Sequence, residues 1–401
     1  MNSATAVRWV PSCLVWASAL VACASVRGQS LDYTVANGFQ AEPLTSLVGD
    51  TTNAAVAYAP NGTLYVVQGA NYVSGGPYSS TTIDVINPNG TLGTPLNVSS
   101  ASLTPSGGSF ASVSGATWDP VTGTLLVVDQ DNSGAIYSVP VTGPSSGGQI
   151  QVNATTVFSG DPFISQVAVR ASTGDIFYSD SPGGVYYGTN APAGIYEVDR
   201  STSASTLVAS AATDFISGIG FDSSGHIIYQ AGDFASNGTP TANVYQAQIS
   251  GSGSGTMVSS PPTTLASNTA TYALAVTSDG NVFIAGSTPP GSVTPYTYGL
   301  FEVNQALNTA GSFFTYSTNS SGDFGTSVAY YPGSGPFESN AGVNGGQMAL
   351  VLSDSSGSAG GPGNYVFLIT PVPEPSTWAL LAIGRGVSLA ARRWRRAGAG
   401  R

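Results

Sequence analysis

Short apolar stretches alternate with segments rich in Gly, Pro and Ser along most of the chain. The apolar stretches are rich in β-branched and aromatic residues, and glycines bound them. No long segment repeats its apolar residues with the 3.6-residue period of an amphipathic helix. This pattern is typical of β-strands joined by turns and loops, so we predict an all-β body.

The apolar stretches recur in a fixed order that defines a repeated module. Each module contains a strand, a tight turn that ends in Gly, a second strand, a long loop, a third strand with an early aromatic residue and, in most copies, a fourth strand. The turn glycines of five copies are separated by 61, 51, 51 and 55 residues: Gly62, Gly123, Gly174, Gly225 and Gly280. Residues 328–331 and 348–352 form a sixth, looser copy. Six four-stranded modules at this spacing predict a six-bladed β-propeller.

The sixth module has no fourth strand of its own after Thr370. Residues 33–48, which include Val35, Phe39 and Leu44, precede the first module and are predicted to supply that strand. The N-terminus would then close the ring and remove an exposed sheet edge. The modules loosely resemble the NHL and SMP-30-like propeller families, with no shared motif beyond the blade pattern. A pair of β-sandwiches or a β-solenoid remains the alternative, although the irregular loop lengths disfavour a solenoid.

Residues 1–30 are predicted to be a secretory signal peptide. Arg8 precedes an apolar run over residues 9–22, which is too short for an ordinary membrane span. Ala22-Cys23-Ala24 has the small-x-small pattern of a cleavage site, whereas residues 20–23 also resemble a lipobox that would place a lipid on Cys23. The other cysteine, Cys13, lies in the same segment. Ordinary cleavage therefore leaves no thiol in the mature chain, which excludes disulfides and thiolate metal sites.

The last thirty residues, 372–401, combine three features in a fixed order. Pro373-Glu374-Pro375 precedes an apolar stretch over residues 378–391, and an arginine cluster follows it: Arg392, Arg393, Arg395 and Arg396. This order fits a transmembrane helix whose basic end stays in the cytoplasm. Arg385 interrupts the apolar stretch, where a charge costs about 2.5–3.5 kcal/mol on insertion scales.

This tail resembles the PEP-CTERM sorting signal in all three parts. The resemblance implies export across the inner membrane and transient anchoring there by the tail helix. It also implies recognition of Pro373, Glu374 and Pro375 by an exosortase-type transpeptidase. Removal of the tail would then deliver the protein to the cell surface or the extracellular polymer matrix.

The propeller body, residues 31–371, is strongly acidic. It contains 20 of the 21 acidic residues but only two of the ten arginines, Arg170 and Arg200, and the whole chain lacks lysine. A formal charge of −18 repels nucleic-acid phosphates and attracts cations. Nucleic-acid binding is therefore excluded as a function.

Nine of these acids are predicted to lie on one face of the propeller. In an up-and-down blade, the loop between the second and third strands emerges on the same face as the loop to the next blade. We call this face the acidic face. Its nine acids are Asp50, Asp129, Asp131, Asp161, Asp180, Asp214, Asp233, Asp323 and Asp354. Its loops also carry Tyr72, Tyr78, Tyr186, Tyr187, Tyr296 and Tyr298, and tyrosine beside carboxylates suits stacking and hydrogen bonding to sugars.

Three blades begin with a similar motif, in which Asp161, Asp214 or Asp323 precedes a phenylalanine. In one interpretation, each aspartate accepts backbone N–H groups in a turn while the phenylalanine packs between blades. In the other, the carboxylates form a ring near the axis that binds a divalent cation or sugar hydroxyls. The resulting candidates for ligand binding are Asp161, Asp214, Asp323, Asp180, Asp233, Tyr186 and Tyr187.

Residues 129–134 match the opening of an oxygen-ligand calcium loop. Asp129, Asp131 and Ser133 would supply ligands, and Gly134 the turn. Position twelve of such a loop is Pro140, so the bidentate glutamate is missing. An ordinary polar turn is the alternative to a Ca²⁺ site here.

These features favour an exported, non-catalytic binding or structural protein on the cell surface or in the matrix. Its partner would be extracellular polysaccharide or another exported protein, with Ca²⁺ as a possible ligand of the acidic face. The alternative is a secreted metal-dependent propeller hydrolase, lactonase or lyase. The sequence offers little general acid–base chemistry for that alternative, because His226 is the only histidine and the chain has no lysine.

Overall fold

The computed structural model describes most of the propeller body. The described residues are 33–44, 54–69, 82–99, 110, 113–130, 134–181, 193–210, 213, 215–234, 240–251, 256–258, 261–269, 272–277, 280–287, 296–306, 309–318, 323–332, 346–354 and 365–371. The predicted signal peptide and the C-terminal tail lie outside them. Within the described ranges, no helix has the length and apolar character needed to cross a bilayer.

The described residues form strands that group into six main antiparallel sheets, which we call blades 1 to 6. Two N-terminal strands, β1 (Tyr33–Val35) and β2 (Phe39–Pro43), precede blade 1. Blade 1 contains β3 (Ala54–Tyr58), β4 (Leu64–Gln68), β5 (Thr82–Ile86) and β6 (Leu96–Ser99). Blade 2 contains β7 (Val113–Asp119), β8 (Thr124–Asp129), β9 (Ala135–Pro140) and β12 (Thr155–Ser159), with β10 (Ser145–Ser146) and β11 (Gln149–Asn153) inserted before β12. Blade 3 contains β13 (Ile164–Val169), β14 (Ile176–Asp180), β15 (Gly194–Val198) and β16 (Ser205–Ser210).

The remaining three blades follow the same order. Blade 4 contains β17 (Phe215–Phe221), β18 (Ile227–Phe234), β19 (Pro240–Ala247) and β22 (Thr263–Thr269), with a small hairpin of β20 (Ile249–Ser250) and β21 (Met257–Val258) before β22. Blade 5 contains β23 (Ala273–Val276), β24 (Val282–Ser287), β25 (Tyr296–Asn304) and β26 (Thr309–Thr318). Blade 6 contains β27 (Asp323–Tyr331), β28 (Gln347–Asp354) and β29 (Tyr365–Pro371).

The six blades form a closed ring. The first strand of each blade contacts the first strand of the next, in the order β3, β7, β13, β17, β23, β27 and back to β3. Apolar clusters fill the spaces between neighbouring blades, so the middle strands bury side chains on both of their faces. This closed order confirms the predicted six-bladed propeller and excludes the sandwich and solenoid alternatives.

The N-terminal segment closes the ring, as predicted from the missing strand of the sixth module. Strand β2 pairs antiparallel with β29, with Phe39 directly opposite Pro371. The structure adds a second contact, because β1 pairs with β26 at the outer edge of blade 5. The Tyr33 ring lies 5.6 Å from the Phe314 ring and 5.5 Å from the Phe367 ring, and thus bridges blades 5 and 6.

The turn between the first and second strands defines the face opposite the acidic face, which we call the first-turn face. The five turn glycines identified in the sequence all have positive φ, between 68° and 89°. Only glycine adopts this backbone region without a steric cost, which explains why the turns repeat it. Strand direction also places the turns between third and fourth strands on the first-turn face.

A charged clamp joins blades 2 and 3 on the first-turn face. The Arg200 guanidinium donates to both carboxylate oxygens of Asp119, at 2.6 and 2.9 Å, and to the carbonyl of Gly174 at 2.9 Å. Burial alone would raise the pKa of Asp119. Hydrogen bonds from Arg200, Thr122 and the Val121 N–H outweigh burial and hold this pKa below its usual value. One of only two arginines in the body thus serves to hold adjacent blades together.

Candidate functional site

A cavity of about 530 Å³ lies on the propeller axis and opens on the first-turn face. All six first strands contribute residues from their C-terminal halves, and the first turns of blades 3 and 4 form part of the mouth. Its aromatic lining residues are Tyr58, Trp118, Phe221 and Tyr330. The volume and the mixture of apolar and polar lining residues are typical of small-ligand sites.

Two opposite charges lie at the mouth of this cavity. Asp222 accepts hydrogen bonds from His226 Nδ1 and Gln246 Nε2, both at 2.8 Å, and from two backbone N–H groups of its own turn. Burial would raise the pKa of Asp222, but the hydrogen bonds from His226 and Gln246 outweigh it and lower this pKa. The Arg170 side chain donates to the Gly251 carbonyl at 3.2 Å and lies 3.8 Å from Asp175 Oδ2. The mouth therefore presents the Asp222 carboxylate and the Arg170 guanidinium, and contacts with neighbouring groups fix the position of each.

The acidic face carries the other candidates, of which the structure describes a part. Asp129, Asp180 and Asp233 lie at or near the ends of second strands, and Asp161 precedes the first strand of blade 3. Asp323 begins β27 and is paired in register with Asp354 at the end of β28. Five candidate residues lie outside the described ranges: Asp131, Ser133, Tyr186, Tyr187 and Asp214.

Asp161 and Asp180 come together where the first two strands of blade 3 meet the acidic face. Their side chains are hydrogen-bonded to each other, and Asp161 also bonds to the Tyr178 hydroxyl. Asp180 is only 5% exposed, and its Oδ1 has no hydrogen-bond partner. Burial, and then the negative charge of Asp161, raise the pKa of Asp180 to about 7, and burial also raises the pKa of Asp161. A hydrogen bond between two carboxyl groups requires a proton, so this pair holds one when it is formed.

Asp161 also has the structural role that the sequence suggested. Its Oδ1 accepts the backbone N–H of Phe163 at 3.1 Å, which closes the turn into β13. The turn-capping interpretation therefore holds for Asp161, and the ring of carboxylates formed with Asp214 and Asp323 stays a prediction. Among the residues that the structure describes, no three His, Cys, Asp or Glu side chains are placed to hold one metal ion.

Sequence reasoning missed a set of β-bulges in the first strands. The strand register shifts near the start of β7, β13, β17 and β27. A hydroxyl residue stands at each shift: Ser114, Ser165, Ser217 and Thr326. The recurrence of Ser or Thr one to three residues after the first residue of the first strand was the available signal.

Side chains of neighbouring blades bond to the backbone at these bulges. Gln130 Nε2 of blade 2 donates to the Ile164 carbonyl of blade 3 at 2.6 Å. Ser181 Oγ of blade 3 donates to the equivalent Ile216 carbonyl of blade 4 at 2.5 Å. The bulges therefore allow hydrogen bonds between adjacent blades near the axis. Bulges commonly redirect backbone groups in this way at the rims of barrels.

Solved structures with the same kind of fold are only distantly similar. A glucose dehydrogenase matches with 11% identity and a TM-score of 0.47, covering 82% of this chain and 98% of that one. A protein of unknown function from Dyadobacter fermentans matches with 10% identity and a TM-score of 0.49, covering 84% of this chain and 100% of that one. Neither likeness says anything about function. No curated protein matches the sequence.

The tail gives the specific match. Residues 371–396 match the family described as the PEP-CTERM protein-sorting motif, which includes the Pro-Glu-Pro sequence, the apolar stretch and the four clustered arginines. This chain therefore carries a PEP-CTERM sorting motif behind a six-bladed β-propeller, and the motif implies export and processing by an exosortase.

Proposed function

We propose that this protein is displayed on the cell surface or in the extracellular matrix and binds polysaccharide there without catalysing a reaction. The axial cavity is the observation that carries the proposal. The sorting motif supports an extracellular ligand, and the cavity supplies an open recess with aromatic and hydrogen-bonding side chains. We place the main ligand site in this cavity rather than on the acidic face.

The chemistry of the lining suits sugar units. Trp118 and Tyr330 offer ring surfaces, while Gln166, Arg170 and Asp222 offer donors and acceptors around the same space. Sugar rings have apolar C–H faces and hydroxyl edges, so they are recognised by this combination. The second candidate partner is another exported protein. A flat surface would accommodate a protein partner better than a recessed cavity does.

A blocking substitution tests this site. Ser172 is exposed and lines the cavity mouth, so S172W should fill the mouth without disturbing the core. We expect the propeller body to bind one class of bacterial exopolysaccharide on a glycan array and S172W to lose that binding. The matched control is S210W, which carries the same new ring at an exposed position on the acidic face and should bind normally. Equal binding by both variants, or no binding by the unmodified body, contradicts the proposal.

We further propose that the acidic face binds Ca²⁺. The formal charge of the body and the unpartnered Oδ1 of buried Asp180 support this second role. Hard cations prefer carboxylate oxygens, and cation binding would displace the proton that Asp161 and Asp180 share. The low-affinity range of extracellular modules, about 10⁻⁴–10⁻³ M, sets the concentration to test.

A melting experiment checks the calcium proposal. Millimolar Ca²⁺ should raise the melting temperature of the body, because a ligand that binds only the folded state stabilises it. The rise in melting temperature caused by Ca²⁺ should be smaller for D180N than for the unmodified body. The metal-dependent hydrolase, lactonase or lyase is the alternative function, and it would require a comparable shift with Mg²⁺ or Mn²⁺. A melting temperature that none of the three ions changes contradicts both the calcium proposal and this alternative.

A further inference from the structure

The direction of β29 decides from which face of the propeller the tail leaves. Strand β27 runs from the acidic face to the first-turn face, β28 runs back, and β29 runs again towards the first-turn face. The last residue of β29, Pro371, is therefore on the face where the axial cavity opens. Pro371 is buried and paired with Phe39, so this exit point is held by the ring-closing strand.

The tether between this exit point and the membrane is short. Six residues, 372–377, separate Pro371 from Trp378, where the apolar stretch of the tail begins. At full extension the seven Cα–Cα steps from Pro371 to Trp378 span at most about 25 Å. Two of the six residues are prolines, which lowers the number of conformations this tether adopts.

Such a tether does not allow the propeller to turn over. A strand as long as β29 extends about 20 Å between the two faces, and the headgroup layer adds about 5–7 Å on one side of the bilayer. A propeller with its acidic face on the membrane would need a tether that crosses both distances, about 25–27 Å in a straight line, which leaves none of the extended length for the path around the edge of the blade. When the first-turn face lies on the membrane, the tether has to cross only the headgroup layer.

Charge favours the same orientation. Arg170 and Arg200, the two arginines of the body, both lie in turns of the first-turn face. The first-turn face also carries acids: Asp119, Asp175, Asp199 and Asp222. The two arginines offset part of their charge, whereas the described acids of the opposite face have no arginine on their own side of the body. Contact with anionic headgroups is therefore less unfavourable through the first-turn face than through the acidic face.

We propose that, until the tail is removed, the first-turn face of the propeller is held against the outer surface of the inner membrane and the acidic face points away from it. The partner surface is a phospholipid bilayer. The mouth of the axial cavity then faces the lipid headgroups, and removal of the tail frees it. The orientation follows from β29 and the tether alone, so it holds whether or not the cavity binds polysaccharide.

Energy transfer to labelled lipids tests this orientation. The tail-bearing chain without its signal peptide contains no cysteine, so single cysteines can carry a donor dye. V121C and S159C place the donor at exposed positions on opposite faces of blade 2, and S224C and S210C repeat the comparison in blades 4 and 3. The protein is reconstituted into phosphatidylethanolamine–phosphatidylglycerol vesicles with an acceptor on the headgroups.

We expect higher transfer from V121C and S224C than from S159C and S210C. Insertion of a 20-residue Gly/Ser linker after Pro371 should remove most of the difference, because such a linker adds about 25 Å of average reach. Equal transfer from the two faces of the unmodified chain would mean that the propeller lies on its side or tumbles, and higher transfer from S159C and S210C would mean that it is inverted. Either result overturns the proposal. Two independent cysteine pairs keep the test decisive if one variant fails to fold, and no glycan is involved, so the outcome is separate from that of the binding assay.

Discussion

A propeller body that lacks residues 33–44 should lose its cooperative unfolding transition. These residues provide the fourth strand of blade 6 and the extra edge strand of blade 5. Without them β29 becomes an open edge, and Phe314 and Phe367 lose the Tyr33 ring that covers them. We expect a loss of more than about 5 kcal/mol, which is the lower end of the total stability of an ordinary domain. Chemical denaturation followed by tyrosine and tryptophan fluorescence measures this loss.

A permuted chain is the control for this deletion. Because Phe39 lies opposite Pro371 in an antiparallel pair, residues 39–44 can follow Pro371 through a two-residue Asn-Gly turn. This variant begins at residue 45 and contains blade 6 as one continuous four-stranded sheet. It should regain most of the lost stability if strand pairing is what closes the ring. Failure of the permuted chain to recover, or full stability of the deleted chain, would show that the N-terminal strands do not close the ring.

The second large effect should appear when D180N is compared with the unmodified body at different pH values. The folded-state pKa of Asp180, about 7, is above the 3.8 of an unperturbed aspartate. Below about pH 4 the carboxyl group is protonated in both states. As pH rises towards 7, the unfolded chain releases its proton first, so the stability of the folded state falls across this window and levels off above it.

Asparagine cannot ionise, so D180N should remove most of this pH dependence. We expect the variant to be more stable than the unmodified body at pH 8 by roughly 2 to 4 kcal/mol, because one pKa unit corresponds to about 1.4 kcal/mol. Urea denaturation at pH 4, 6 and 8 measures the slope. D199N is the matched control: Asp199 is exposed in a turn, and hydrogen bonds from Ser201 lower its pKa, so its titration lies below this window. An unchanged slope in D180N would show that the carboxyl pair does not hold a proton near neutral pH.

Much of the propeller could be predicted because its signals are local. A turn that needs positive φ selects glycine, and the five turn glycines therefore mark five blades in the sequence alone. The missing fourth strand of the last blade was equally visible, since β29 is followed directly by the tail. The strands between these glycines are rich in β-branched residues and follow a fixed order, which leaves few alternative strand pairings.

The extra pairings were not predictable in the same way. Strand β11 pairs in parallel with β6 of the preceding blade, and β1 pairs with β26 of blade 5. Nothing in the local pattern of β1 or β11 specifies these partners. Edge strands accept any strand of suitable length that the fold brings near, so their partners depend on the arrangement of whole blades.

The candidate sites also combine features that the sequence predicted with features that depend on the fold. The sequence placed Asp161 and Asp180 on one face, but their direct contact depends on the pairing of β13 with β14, in which Ile164 lies opposite Asp180. The axial cavity was not foreseen at all, because its lining residues come from six strands that are far apart in the chain. No short segment contains enough of them to give a pattern.

The amino-acid sequence alone determined the export signal, the number of blades, the turns and the acidic character of the body. These properties depend on the order of neighbouring residues, and local sterics, periodicity and charge are sufficient to set them. Only the tertiary structure decided that the Arg200 guanidinium clamps Asp119, that Asp161 meets Asp180, and that the cavity opens on the face where β29 ends. The first contact joins two blades, the second depends on the pairing of β13 with β14, and the third depends on the strand directions around the ring, so neighbouring residues in the sequence do not specify any of them.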